Sequence, residues 1–578
     1  MATVATHLIA ALARSGVRRV YGLPGDSLNG FTDAIRRSDD VTWEHVRHEE
    51  NAAFAAAADA ALNGALAVCA GSCGPGNLHL INGLFDAQRS RVPVLAIAAH
   101  IPRTEIGSQY FQETHPQELF RECSVYCELV STPEMAPRIV EMAMRAAIEE
   151  NGVAVVVVPG EIFLAQAPES GWLARAVEPT QSVIRPDDAS LRRAADILNA
   201  AENVTILGGA GVAGAHDALV QLAGTLNAPV VHALRGKEFI EYDNPFDVGM
   251  TGLLGFASGY KAIKEADALL MLGTDFPYGQ FYPDHARVIQ VDVRGRNLGR
   301  RTPIELGLVG TVADTLAALE PLLVQKTSRA HLDRSLQHYR KTRKTLDSLA
   351  VNDRDRSPIR PEYVAGLANQ LATDDAVFTV DVGSPVVWAA RYLTMNGRRR
   401  LVGSFNHGTM ACALPHAIGA QTAFPHRQVV ALCGDGGLTM SFGELITLSQ
   451  NRLPVKVIVF NNSSLNFVEL EMKAAGIVNF GTELVNPDFA AVAQAMGLFG
   501  RRVERPGDLA QALTDAFAHD GPAVVDVVTA RQELSIPPAI TAEQAKGFSL
   551  YAIRTILAGR ADELLDLVTT NVARRVLD

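Results

Sequence analysis

Short β-branched apolar runs, each closed by Gly or Pro and alternating with helical stretches, confine this chain to parallel sheets with helices on both faces. In the first stretch the runs fall at 65–69, 92–98 and 153–158. The last of these, Val153-Ala-Val-Val-Val-Val158, stops at Pro159-Gly160, far short of the roughly 20 residues a membrane-spanning helix needs. A second block places strands at 204–207, 229–232, 268–272 and 288–291, and a third at 376–380, 429–432, 455–460 and 523–528. Loop-like 178–186 separates the first two blocks, and a charged helical stretch, 329–356, closed by Ser357-Pro-Ile-Arg-Pro361, separates the last two. The expected class is α/β: three doubly wound parallel-sheet domains at 1–180, 187–330 and 358–530, then a tail at 531–578.

The chain has 578 residues, 48% of them hydrophobic, enough for several large cores. A net charge of −11 opposes binding to nucleic acid as the main task. Six cysteines in so long a chain point to a reducing compartment. Residues 1–17 read as an amphipathic helix, not a leader peptide, so a cytoplasmic location is expected.

The sharpest motif is Leu432-Cys-Gly-Asp435-Gly436-Gly437, directly after a strand, followed one helix and one strand later by Asn461-Asn462-Ser463-Ser464. That spacing brings Asp435 and Asn462 to the carboxyl ends of neighbouring parallel strands, where such sheets bind ligands. Asp435, the Asn462 amide oxygen and a main-chain carbonyl near Ser464 form a hard-oxygen set suited to Mg²⁺. The glycines let phosphate oxygens approach, and a helix N-terminus favours their charge. Gly-Asp-Gly-Gly is also an ordinary turn sequence; the distant Asn-Asn makes it a site.

Gly434-Asp435-Gly436 through Asn461-Asn462 resembles the thiamine diphosphate (ThDP) fingerprint. Arg47-His48-Glu49-Glu50, Gly71-Ser-Cys-Gly-Pro-Gly76, Phe111-Gln112-Glu113 and Phe405-Asn-His-Gly-Thr-Met410 are similar to the bacterial pyruvate:quinone oxidoreductases, often called pyruvate oxidases. The resemblance implies a pyrimidine-binding domain, a central FAD domain and a diphosphate-binding domain in that order. It implies oxidative decarboxylation of pyruvate to acetate and CO₂, with electrons passing through ThDP and FAD to a membrane quinone.

It also implies roles. Glu49 would hydrogen-bond the aminopyrimidine; local sequence alone favours a helix-start acid, and only the resemblance selects Glu49 over Glu50. Met410 would hold the coenzyme folded, beside Gly408 and Thr409. Val382, Gly383 and Ser384 would contact the diphosphate, with Asp435, Gly436, Gly437 and the turn Asn462, Ser463, Ser464, Leu465, Asn466, Phe467 and Val468. Phe111, Gln112 and Phe467 would meet the substrate, Phe111 and Gln112 from a neighbouring subunit, which makes a dimer the minimum and a homotetramer the family's expectation. Asn466 stands where the pattern carries glycine. For FAD the implied set is Thr251, Gly252, Leu253 and Leu254, then Gly273, Thr274, Asp275, Phe276 and Pro277, and Asp292.

Other patterns are weighed against this one. Gly209-Ala-Gly211-Val-Ala-Gly214 formally matches an NAD fingerprint, but the next strand ends His232-Ala-Leu-Arg235 with no acid for a ribose hydroxyl. Cys69/Cys73 and Cys123/Cys127 share a spacing of four but lack zinc-knuckle geometry, so buried free thiols are expected. The tail reads as short amphipathic helices, and Gln544-Ala-Lys-Gly-Phe-Ser-Leu-Tyr551 resembles the family's lipid-binding segment, implying peripheral attachment at the inner face of the cell membrane. Alternatives are an acetolactate synthase, a phosphate- and oxygen-using pyruvate oxidase, and a catalytically silent ThDP-fold regulator.

Overall fold

The structure, a computed structural model, describes residues 2–168, 176–180, 182–351, 357–531, 546, 550–552 and 554. Three six-stranded sheets, every pairing parallel, organise these residues. The first holds β1 (Arg19–Gly22), β2 (Thr42–His45), β3 (Ala67–Gly71), β4 (Val94–His100), β5 (Tyr126–Leu129) and β6 (Val153–Pro159) in the order β2-β1-β3-β4-β6-β5. The second holds β7 (Val204–Gly208), β8 (Val230–His232), β9 (Asp247–Met250), β10 (Ala268–Leu272), β11 (Arg287–Asp292) and β12 (Leu306–Val309) in the order β12-β11-β10-β7-β8-β9. The third holds β13 (Val377–Val380), β14 (Arg400–Gly403), β15 (Val429–Gly434), β16 (Lys456–Asn461), β17 (Phe499–Val503) and β18 (Ala523–Val528) in the order β14-β13-β15-β16-β18-β17. The outer two sheets therefore share one topology.

The central strands β4, β6, β10 and β16 are buried along their whole length, which is why each reads as an apolar run. Two helices join the first and third domains. Glu49–Asn63 is alanine-rich because it is covered on nearly every side, and it crosses Ala413–Ala423 so closely that a Cβ on Gly419 would lie 2.1 Å from the Ala55 carbonyl oxygen. Side chains of both domains form one continuous core around this crossing. The middle domain meets the third through Arg391, which donates to the carbonyls of Leu254 (3.1 Å) and Gly255 (3.4 Å), and through Glu238, which accepts from Arg400 Nε (2.9 Å) and the Leu401 amide (3.0 Å). Among the described residues no helix is long and apolar enough to cross a membrane.

Candidate active site

In the third domain, β15 delivers Asp435 to the first position of a short helix, Asp435–Met440, and β16, its neighbour, delivers Asn462. Asp435 Oδ1 accepts from the Gly436 amide (2.8 Å); Oδ2 accepts from the amides of Asn462 (3.1 Å) and Ser463 (2.7 Å) and from Asn486 Nδ2 (2.8 Å). Burial pushes the Asp435 carboxyl above its ordinary range. Among the described residues no Lys or Arg pairs with it, so a divalent cation is the charge that would hold it ionised. Asn462 Oδ1 accepts from the Ser464 amide (3.0 Å), and the Ser464 hydroxyl donates to Glu469 Oε1 (2.6 Å), so a ligand from position 464 comes from the main chain. This donor set fits Mg²⁺.

The glycines are required by packing. A Cβ on Gly436 would lie 2.9 Å from Leu465 Cδ2 and 3.2 Å from Met410 Cε, and one on Gly437 only 2.3 Å from Asp381 Oδ2. Asp381, raised to about 6 by burial, accepts from the amides of Ala413 (2.9 Å) and Gly434 (3.1 Å), stapling the end of β13 to that of β15. Val382 and Gly383 follow, Gly383 at φ +139°, so the amides of helix Ser384–Tyr392 open toward an anion. Gly408 has φ +83°, Thr409 donates its hydroxyl to the Met410 carbonyl (2.8 Å), and Ala411 and Ser463 occupy the left-handed region at φ +66° and +55°. Non-glycine residues in that region store strain, and here they flank the Met410 and Asn462 turns. Asn466 donates its amide to the Arg531 carbonyl, Phe467 packs partly buried on the third-domain core, and Val468 is 40% exposed.

In the first domain, His48 caps the helix, its Nδ1 accepting from the Glu50 amide (3.2 Å), and Glu49 is the first helical residue, 5% exposed. Its Oε2 lies 2.9 Å from His79 Nδ1, and the rings of His48 and His79 stack at 4.3 Å. These three residues cluster as metal ligands do, but His48 Nδ1 is engaged by the Glu50 amide and His79 Nδ1 by Glu49. Glu50 Oε1 accepts from Asn82 Nδ2 (2.7 Å), whose Oδ1 meets His407 Nε2 (2.8 Å), and Glu50 is half-buried where Glu49 is buried. Among the described residues no hydrogen bond joins Glu49 to the Asp435 turn or to Met410.

Gln112 sits at φ +63° against Gly74, where a Cβ would lie 2.8 Å from Gln112 Cβ, and Cys73 Sγ donates to Gln112 Oε1 (3.2 Å). Phe111 is 78% exposed. The Glu113 carboxylate accepts from the amides of Gly107 and Tyr110 (3.1 Å for the latter), which lowers its pKa and fixes the loop.

In the middle domain, Thr251 is 3% exposed and its hydroxyl has no hydrogen-bond partner among the described residues, beside Gly252 at φ +99° and Leu253-Leu254. Gly209 and Gly211 pack backbone to backbone on Gly273, so the formal NAD glycines serve strand-end contact between β7 and β10. A 3₁₀ turn, not a helix, follows them, with the next helix starting at His216. Asp292 accepts from the Arg294 amide (2.8 Å) and Asn297 Nδ2 (3.0 Å). Thr274 is buried, Asp275 pairs with Arg91, Arg300 and Arg301, and Phe276, ahead of Pro277, packs edge-on with Tyr278, Phe281 and Tyr282, so Phe276 offers a ligand only its main chain. The unpartnered Thr251 hydroxyl, just past the end of β9 and beside Gly252, fits contact with a dinucleotide such as FAD.

Burial raises the thiols of Cys123 and Cys127 to about 12, opposing the thiolate that zinc requires. The tail at 531–578 lies almost wholly outside the described residues; of it, Tyr551 is buried with Lys473 Nζ 5.6 Å from its ring centre, and Arg554 Nη1 donates to the Gly476 carbonyl (2.5 Å). His79, Asn486, Asp381 and Glu469 were not singled out from the sequence. Only Asn486-Pro487 and Asp381, just before a Gly-Ser turn, carry a local signal; the others are defined by contacts across the fold.

Residues 2–119 match the thiamine pyrophosphate enzyme N-terminal TPP binding domain, 191–319 the central domain and 381–527 the C-terminal TPP binding domain. YdaP of Bacillus subtilis (strain 168) is 35% identical over 557 residues, 96% of either chain. Pyruvate oxidase of Lactiplantibacillus plantarum is 31% identical over 529 residues, 90% of this chain and 87% of that one. Acetolactate synthase of Arthrospira platensis is 31% identical over 567 residues, 93% and 95% of the two chains.

Proposed function

This chain belongs to the thiamine pyrophosphate enzyme family, and from that premise we propose that it converts pyruvate and water to acetate and CO₂, passing two electrons through FAD to a membrane quinone. When bound, thiamine diphosphate supplies the nucleophilic carbon and the electron sink for decarboxylation, and FAD takes the electron pair. The chain's own residues bind and orient. Asp435, Asn462 and the main chain at Ser464 hold Mg²⁺; Val382, Gly383 and Ser384 hold the diphosphate; Gly408, Met410 and Glu49 hold the pyrimidine. His79 fixes the Glu49 carboxylate, and Phe111, Gln112 and Phe467 shape the pocket and exclude water. Thr251–Leu254, Gly273–Pro277 and Asp292 hold FAD. Helix Ser384–Tyr392 links the two cofactor sites: its first residue belongs to the diphosphate turn and Arg391, roughly 10 Å along the axis, grips the FAD loop.

The observation that carries the reading is the buried Asp435 carboxylate, gathered by the Asn462 turn and lacking a cationic side chain among the described residues. Alignment with a pyruvate oxidase over 90% of the chain supports pyruvate as substrate, and the orphaned Thr251 hydroxyl supports FAD. The resemblance that brings Phe111 and Gln112 from a neighbouring subunit supports a second copy completing each site: a dimer at least, and a tetramer by the family pattern. The resemblance of Gln544-Ala-Lys-Gly-Phe-Ser-Leu-Tyr551 to the family's lipid-binding segment supports a cytoplasmic enzyme that attaches reversibly to the inner face of the membrane.

A second reading, acetolactate synthase, draws on the Arthrospira relative, which matches 93% of the chain. Purified protein given ThDP, Mg²⁺, FAD, pyruvate and ferricyanide separates the two. The expected result is acetate with two ferricyanides reduced per molecule. Acetolactate without ferricyanide reduction establishes the second reading, and acetyl phosphate formed only with phosphate and oxygen identifies a phosphate-using oxidase.

A further inference from the structure

Directly behind the cation turn lies a carboxylate that the reaction itself does not use. Glu469, in the first turn of helix Asn466–Ala474, is fully buried. Its Oε1 accepts from the Ser464 hydroxyl (2.6 Å), the Thr482 hydroxyl (3.0 Å) and Arg531 Nη2 (2.6 Å), and its Oε2 lies 3.5 Å from Lys473 Nζ. These partners come from separate parts of the chain. Ser464 belongs to the cation turn. Thr482 belongs to the segment that pairs antiparallel with that turn: the Leu465 amide donates to the Thr482 carbonyl (2.8 Å), the Leu484 amide to the Ser463 carbonyl (3.0 Å), and Ser464 bridges Glu483. Arg531 stands where the chain leaves the third sheet, three residues beyond β18, and its carbonyl accepts from Asn466 Nδ2. Lys473 in turn lies beneath the ring of Tyr551.

A buried carboxylate with three donors on one oxygen fixes all of them, because moving any one strands charge in a low-dielectric interior. We propose that Glu469 is a positioning residue that sets the 462–466 turn through Ser464, and that Arg531, by holding Glu469, couples the exit point of the C-terminal segment to the geometry of the cation site. This rests on the reading of the third domain as the Mg²⁺ and thiamine diphosphate site. It assigns that site a control point outside its ligands.

The test uses the full-length apoprotein and reads Mg²⁺ affinity directly, by quenching of intrinsic fluorescence at saturating thiamine diphosphate, beside KM for pyruvate. Glu469→Gln, Arg531→Gln and Ser464→Ala are expected to weaken Mg²⁺ by about tenfold or more, the scale seen for groups that orient metal ligands, with little change in KM. Glu469→Gln combined with Arg531→Gln is expected to cost no more than the worse single variant, because both act through one contact. Mg²⁺ affinity within twofold of the parent in folded Glu469→Gln, or strictly multiplicative losses in the double variant, overturns the proposal. Should Glu469→Gln fail to fold, Ser464→Ala and Arg531→Gln decide alone, and unchanged affinity in both overturns it. A parent protein that binds neither Mg²⁺ nor thiamine diphosphate instead overturns the underlying reading of the site.

Discussion

Glu49 and Glu50 are adjacent acids separated by what they touch. Glu50 Oε1 accepts from Asn82 Nδ2, while the more deeply buried Glu49 pairs with His79. Glu49→Gln is expected to retain cofactor binding and lose roughly 10²-fold or more in turnover, the scale of an acid–base role; full activity in that variant would remove Glu49 from the mechanism. A second residue-scale prediction concerns pH. Burial, reinforced by Glu241, raises Asp247 to about 8, and burial, reinforced by Lys237, lowers its neighbour His232 to about 3. Between about pH 4 and 8 the folded chain keeps a proton on Asp247 that the unfolded chain has released, so that contribution to stability falls as pH rises. His232 acts in the opposite sense between about 3 and 6.5, so above 6.5 Asp247 acts alone. The urea midpoint should therefore decline from pH 6.5 to 8, with this one proton contributing at most about 1.4 kcal/mol per pH unit. Asp247→Asn should flatten that decline, and an equal slope in the variant would contradict the assignment. The Glu49 assignment was legible only through the Arg-His-Glu-Glu resemblance; the His79 and Glu469 contacts bridge tens of residues or join main-chain turns, and no local pattern announces them.

At the scale of elements, sequence rhythm finds strands where both faces are buried. Strands β3, β4, β6, β7, β8, β10, β11, β13, β15, β16 and β18 fall within two residues of the apolar runs, because a central parallel strand must be apolar throughout. Among the strands outside those runs, β2, β5, β9, β12, β14 and β17 are sheet edges and β1 lies beside one; Glu128, Asp247 and Gly249, Gly307, Arg400, or Arg501 and Arg502 break the run in β5, β9, β12, β14 and β17. The Glu49–Asn63 helix begins three residues before its alanine run because His48 caps it. Its crossing with Ala413–Ala423 sets the angle between the first and third domains. Gly419→Ala should cost about 3 kcal/mol by forcing that crossing apart, read as a lower melting temperature. An unchanged melting temperature would show that the crossing has slack.

At the scale of the whole molecule, the proposed function divides the work among three sheets: the first would supply an acid and a substrate loop, the third a cation turn, and the middle one a dinucleotide site whose 254–255 loop Arg391 grips. The tail from Glu543 carries as many basic as acidic residues, so the proposed attachment to lipid would come from apolar burial and should depend only weakly on salt. Deleting residues from Ala539 onward should abolish vesicle co-sedimentation and spare ferricyanide reduction in solution; equal co-sedimentation of both forms would show the tail to be a structural arm. The central claim is that electrons taken from pyruvate reach a flavin in the middle domain. The direct measurement is the visible spectrum of the purified holoprotein under anaerobic conditions before and after pyruvate is added. Loss of the oxidised flavin absorbance, with acetate and CO₂ formed in equal amounts, is the predicted result. Flavin that stays oxidised while acetolactate accumulates would contradict it.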